Sequence, residues 1–234
     1  MFQLICGMAT AEISTMGAYV NVLRDDNKTI FYPLSEIPDA HGAIKRRGGS
    51  HVCLPNFGAP GEFRELNQHG FGRLMEWSVV DLNQDRISLR LKGEGAYQHL
   101  YSLIIYELEE KSFTSKLEML NRGLEELDVA PGFHPYFAVE PTEQGIAVDE
   151  EWHELASLSG TVFRERVRKV DFKNHTIHFD TDNINRFAIW TDQLGEYVCV
   201  EPTYAANSFS ASPEQNIKLK LGESVSFSYT IRWE

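Results

Sequence analysis

The stretch Val225-Ser226-Phe227-Ser228-Tyr229-Thr230-Ile231-Arg232-Trp233 alternates a large apolar side chain with a small or polar one at every step. A period of two marks a strand with one face buried, because successive side chains of an extended chain point to opposite sides. Working outward, the same β-branched and aromatic enrichment recurs at residues 18–23, 77–82, 87–91, 100–108, 113–120, 187–191 and 197–200. Turn chemistry separates these runs, as at Asn83-Gln84-Asp85, Asn121-Arg122-Gly123 and Asp192-Gln193-Leu194-Gly195. Helical periodicity is scarce. Its best candidate is the acidic segment 149–158, which reads equally well as a loop. Many short strands joined by turns predict an all-β chain folded as a large antiparallel β-sandwich, a single domain over residues 1–234.

Composition narrows the functions open to such a chain. At 234 residues with 42% hydrophobic content, there is enough material for one substantial core. Acidic residues outnumber basic ones 34 to 22, a net charge of −12, which argues against nucleic acid as a partner because a phosphate backbone needs a basic track. A pocket holding one or two arginines can still accept a small anion. The N-terminal MFQLICGMATAEI has neither a basic start nor a long apolar run, and no segment approaches the roughly 18 apolar residues of a membrane span. Cytoplasmic localisation and no membrane partner are therefore expected. Cys6, Cys53 and Cys199 are odd in number and lack CxxC spacing, so they read as buried free thiols rather than a disulfide framework or a thiolate zinc site.

Three segments place ionisable groups among aromatics, glycines and prolines: residues 67–77 (NQHGFGRLMEW), 130–137 (APGFHPYF) and 197–202 (YVCVEP). In the last, Tyr197, Cys199 and Glu201 share one strand face while Val198 and Val200 take the other, and Pro202 is expected to stop the ladder. Glu201 then reads either as a terminal glutamate paired with an arginine or as a desolvated general base. His69 and His134 read as structural histidines or as site residues. His175 and His178 cannot chelate one ion from a strand, since a separation of three turns their rings to opposite faces. Phosphate-cradling and nucleophile-elbow motifs are absent. The pairs Glu125-Glu126 and Glu150-Glu151 read as solvated turn charge. The Gly/Pro-dense stretch 48–61 interrupts the strand series and reads as functional or mobile.

Taken in order, these segments resemble the galactose mutarotase-like superfamily, that is, the aldose 1-epimerases and the related hexose-6-phosphate epimerases. Arg47-Gly48-Gly49 through Pro55-Asn56-Phe57-Gly58 resembles the RGG segment of the hexose-phosphate branch. Gln68-His69-Gly70-Phe71-Gly72-Arg73 resembles its QHGFAR, Phe133-His134-Pro135-Tyr136-Phe137 the second-histidine motif, and Val198-Cys199-Val200-Glu201-Pro202 the segment with the catalytic glutamate. The resemblance implies a large β-sandwich and an isomerase that interconverts the α and β anomers of an aldose or hexose 6-phosphate. Glu201 would be the base and His134 the acid, His69 would orient the sugar, and Arg73 and Arg47 would line the pocket. No metal or organic cofactor would be needed. Two departures stand out. Ser50-His51 replaces the Ile-Pro that follows RGG, and Phe-His-Pro matches the general aldose epimerases better than the hexose-phosphate branch. Asp171, Asp180 and Asp182 are the candidates for a hydroxyl-binding aspartate. The alternative from another class is a carbohydrate-binding sandwich without catalysis.

Overall fold

The computed structural model describes residues 1–63 and 65–234. Among these, two large antiparallel sheets carry the chain, one of ten strands and one of nine, with two small two-stranded sheets beside them. The nine-stranded sheet is built around the segment that opens the sequence reading. Its strand Ser224–Trp233 pairs on one side with Ser112–Asn121, which pairs in turn with Leu100–Glu109, and on the other side with Thr176–Asp182. As the alternation predicts, Phe227, Tyr229, Ile231 and Trp233 are buried while Arg232 is exposed.

The core lies between the two sheets, where aromatic side chains from each meet. Phe31 packs on Phe113 at 5.9 Å between ring centroids, Phe137 on Phe179 at 5.7 Å and Phe133 on Tyr229 at 4.9 Å. Two polar contacts also cross the layers: the Tyr106 hydroxyl donates to the Ala18 carbonyl at 2.6 Å, and the hydroxyls of Ser50 and Tyr229 lie 3.2 Å apart. Each of these three buried hydroxyls thus keeps a partner, which avoids the roughly 1–3 kcal/mol cost of an unsatisfied one.

Two local expectations fail. Segment 149–158 is neither helix nor loop: a strand Glu151–Glu154 leads into a 3-10 turn at Leu155–Ser159. Asp149 and Glu150 adopt positive φ (46° and 76°), closing a tight turn that lets Glu151–Glu154 pair back on Gly145–Val148. Nor does Pro202 end its strand, which runs from Tyr197 to Thr203. The partners along one edge, Gly132–Phe133 and Tyr136–Ala138, leave residues 200–202 unpaired on that side, so the amide that proline lacks falls in a stretch already free of ladder bonds. Cys53 and Cys199 are buried free thiols as expected, but Cys6 is only half-buried. The 48–61 stretch is largely buried and joins its neighbours through isolated bridges, Leu54 to Gly70 and Asn56 to Ala130.

Candidate active site

The interruption in that edge positions the principal residues. Tyr136 pairs with Cys199 and Gly132 pairs with Thr203, and the register is the same on both sides of the gap. His134 therefore falls opposite Glu201, although His134-Pro135 belongs to no strand. Ala188 pairs with Glu201 from the other side, and the His134 amide donates to the His51 carbonyl at 2.9 Å. His51, His134, Glu201 and Ala188 thus form one row across the sheet. Alternation then sorts the faces. Phe133, Val198 and Val200 belong to the main core, whereas Cys199 packs with Tyr136 and Tyr197 in a separate cluster.

Along this row, His134 Nε2 lies 3.5 Å from Glu201 Oε1, and the two side chains are only 6% and 4% exposed. The His134 ring is held between two others: His51 stacks on it at 4.8 Å and 30°, Tyr136 at 4.8 Å and 16°. Tyr19 backs His51 at 4.9 Å. His69 approaches edge-on at 5.1 Å from a turn that requires unusual backbone, with φ 62° at His69 and 68° at Gly70. Any side chain at Gly70 would put its Cβ 1.9 Å from the Leu54 carbonyl oxygen, so glycine is obligatory there.

Hydrogen bonding fixes the tautomer of His69. Its Nδ1 accepts the Gly58 amide at 3.2 Å and lies 3.3 Å from the Cys53 thiol. The ring proton therefore sits on Nε2, with the Gln68 side-chain amide 3.4 Å away. With Nδ1 occupied, His69 offers a donor. His134, Glu201 and His69 all border a cavity of about 300 Å³ whose walls include Gln68, Trp190 and Phe163. Larger hollows elsewhere on the surface do not touch these residues.

Burial sets the electrostatics. Desolvation drives the His134 imidazole well below the usual histidine range, with His51, His69, Arg73 and Arg47 adding to the effect. It drives the Glu201 carboxyl well above the usual carboxylate range. His69 falls to about 3, first from burial and then from the Arg73 charge. Burial also lowers His51 and raises the Cys199 thiol. His134 and Glu201 are thus displaced toward each other, the condition under which two neighbouring groups hold one proton between them.

The remaining sequence candidates are placed less directly. Arg47 donates from Nε to Asp192 at 2.8 Å, with its guanidinium 5.7 Å from the Trp190 ring, and Arg73 donates from Nη2 to the Gln68 carbonyl at 3.1 Å while its buried Nε has no partner. Neither arginine forms a wall of the cavity. Asp171 is held by Thr176 and Lys169, Asp180 by Arg232, and Asp182 is exposed, so none of the three borders it either. Asp192, the partner of Arg47, also accepts the Tyr197 hydroxyl. Sequence reading passed over it as turn chemistry. His51 and Trp190 were missed as well. The signal for Trp190 was available, since it shares a face with Ala188 on a strand already recognised.

A buried histidine–glutamate pair thus sits on one face of a β-sandwich, at the wall of a cavity of about 300 Å³. Solved structures share this fold. A galactose mutarotase-like protein from Lactobacillus casei matches with a TM-score of 0.83 at 15% identity, covering 100% of both chains. A galactose mutarotase-like protein from Clostridium acetobutylicum matches at 0.72 and 18%, covering 99% of this chain and 94% of that one. The GalM/aldose epimerase homologue from C. elegans matches at 0.71 and 10%, covering 100% and 98%. At these identities the likeness is one of fold. Sequence carries it further: the signature of the aldose 1-epimerases matches residues 3–186, and the chain belongs to that family. The matched span includes His69 and His134 and stops short of Glu201. The uncharacterized protein YphB of Escherichia coli (strain K12) is 28% identical over 128 residues, 53% of this chain and 44% of YphB, so the match spans less than half of that relative's length. Among the described residues, no helix is long and apolar enough to cross a membrane.

Proposed function

We propose that the chain is an aldose 1-epimerase in activity as well as family, opening and reclosing a pyranose ring between His134 and Glu201. The observation that carries this reading is the pair itself: Nε2 and Oε1 3.5 Å apart, buried, at the wall of a cavity of about 300 Å³. In the reactive form Glu201 is the carboxylate and His134 the imidazolium. Glu201 takes the proton of the anomeric hydroxyl while His134 gives its proton to the ring oxygen, and the C1–O5 bond breaks to leave an open-chain aldehyde. Rotation about C1–C2 presents the other carbonyl face. Return of both protons closes the ring as the other anomer, and the pair ends as it began.

The surroundings suit this cycle. Stacking between His51 and Tyr136 restricts the His134 ring, and the Nε2 proton of His69 offers a hydrogen bond to a sugar hydroxyl. Because the pair carries one proton, activity requires neither a second proton nor the loss of the first, so the rate against pH should be bell-shaped. The test is anomer exchange followed by NMR on glucose and galactose. Glu201→Gln should slow it on the order of 10²–10⁴-fold, the usual contribution of a positioned acid or base, and retention of the wild-type rate would remove the proposed base.

A second reading, a hexose 6-phosphate as substrate, is favoured by one feature. Among the described residues, Arg46 and Arg73 have no carboxylate partner, unlike Arg47, which Asp192 already neutralises. Arg73→Ala that impairs exchange of glucose 6-phosphate and spares glucose would select this reading. Equal loss for both would make Arg73 a general support of the pocket.

A further inference from the structure

Cys199 has no part in the proposed ring opening, yet it stands two positions before Glu201 on the same face of the same strand. One ligand atom each from His134, Cys199 and Glu201 lies within 4.8 Å of the others, and all three residues are buried. His134 is 5% exposed and its Nδ1 is buried without a hydrogen-bond partner. We infer that these three side chains form a binding site for a divalent transition-metal ion of the zinc class, which occupies the acid–base pair and shuts the sugar cavity.

The geometry and the charges both favour such an ion. Zinc bonds of about 2.0–2.3 Å to nitrogen, oxygen and sulfur require ligand atoms about 3.3–3.8 Å apart, so closing the set around an ion needs movements of no more than ~1 Å. The His134–Glu201 edge already stands at 3.5 Å. A dication bound by a thiolate, a carboxylate and a neutral imidazole leaves the buried site uncharged. The thiol proton and the proton held by the acid–base pair pass to solvent, and a water completes the fourth position on the cavity side. A thiolate and an imidazole select zinc or cobalt over magnesium or calcium, which prefer oxygen ligands. Because the ion takes the lone pairs of both the acid and the base, it acts as an inhibitor competing with sugar and not as a cofactor. Spacing in the sequence could not reveal the set, since His134 and Cys199 are 65 positions apart and meet only through the register of neighbouring strands.

Binding is tested on the whole chain with the metal alone as probe. Cobalt(II) titration of the metal-free protein should saturate at one equivalent and produce thiolate-to-cobalt charge-transfer absorption in the near ultraviolet. Cys199→Ser should abolish that band and weaken zinc binding, measured by equilibrium dialysis, on the order of 10²-fold, whereas Cys53→Ser should keep the band. No band, loss of the band in Cys53→Ser instead, or magnesium binding as tightly as zinc would each overturn the site. Should Cys199→Ser fold poorly, the wild-type chain still decides: zinc added to the cobalt-loaded chain must displace cobalt and bleach the thiolate band at one equivalent, and persistence of the band refutes the site. The inhibitory role rests on the ring-opening reading, but the binding does not. Cobalt bound as described without anomer exchange keeps the site and removes the reaction; zinc-insensitive exchange without the band does the reverse.

Discussion

The two large sheets are built from the same kinds of residue and differ in continuity. In the nine-stranded sheet, Leu100–Glu109, Ser112–Asn121 and Ser224–Trp233 each run ten residues and pair almost end to end. In the ten-stranded sheet, Tyr197–Thr203 meets a partner edge broken at His134-Pro135. The unbroken sheet spends its side chains on the core. The broken one keeps its register and releases a short piece of backbone, and the candidate chemistry occupies that break. A sandwich can therefore hold stability and function in separate layers, provided the break does not shift the register.

Substitutions can test how separate these layers are. His134→Asn should match Glu201→Gln in slowing anomer exchange on the order of 10²–10⁴-fold, with a smaller loss of melting temperature than a core truncation, because the ring stacks at the cavity and lies outside the apolar core between the sheets. Phe227→Ala should do the opposite: it empties a fully buried aromatic site in the unbroken sheet, costing about 3–5 kcal/mol of stability by denaturant titration, with the exchange rate per folded molecule preserved. A fall in that rate would show that the layers are coupled.

Acid should act on stability through two histidines outside the strands, His69 and His175, but unequally. His69 has a folded-state value of about 3 and His175 of about 4, each below the ordinary 6.5. A depressed value means that the unfolded chain binds the proton more readily. The associated stability is complete above pH 6.5 and is lost as pH falls toward about 3 for His69 and about 4 for His175. The slope of unfolding free energy against pH over this window should flatten in His69→Asn, and less in His175→Gln, whose ring is not fully buried. The smallest effect is expected at His51. Removing its stack in His51→Ala should lower kcat about 3–10-fold, the value of an aromatic contact of about 0.5–1.5 kcal/mol, with KM little changed. His51→Phe, which keeps a ring against His134, should recover most of the loss.

Much of this contrast was legible in the sequence. The alternation at 225–233 and its echoes gave the sheets, because period two is a local property of an extended chain. The shared face of Tyr197, Cys199 and Glu201 was legible for the same reason, and the ordered motifs singled out His69 and His134. What escaped depends on neighbours across strands. His51 as a stacking ring, Asp192 as the partner of Arg47, and Cys199 as a companion of His134 are set by register, which no single segment encodes. The misread 149–158 segment failed differently. Its acidic residues suit a helix end or a loop, and only the positive φ of Asp149 and Glu150 turns them into a hairpin.

The row from His51 through His134 to Glu201 also bears on how this family can diverge. The separation between His134 and Glu201 follows from the spacing of adjacent strands, about 4.8 Å, and owes nothing to the length of any loop. Surface connections can be shortened, lengthened or rewritten without moving the two groups relative to each other. A single-residue insertion between Gly132 and Tyr136, by contrast, would rotate His134 off the face that Glu201 shares. The count of residues from Gly132 to Tyr136 is thus a tighter constraint on this pair than the length of any surface connection.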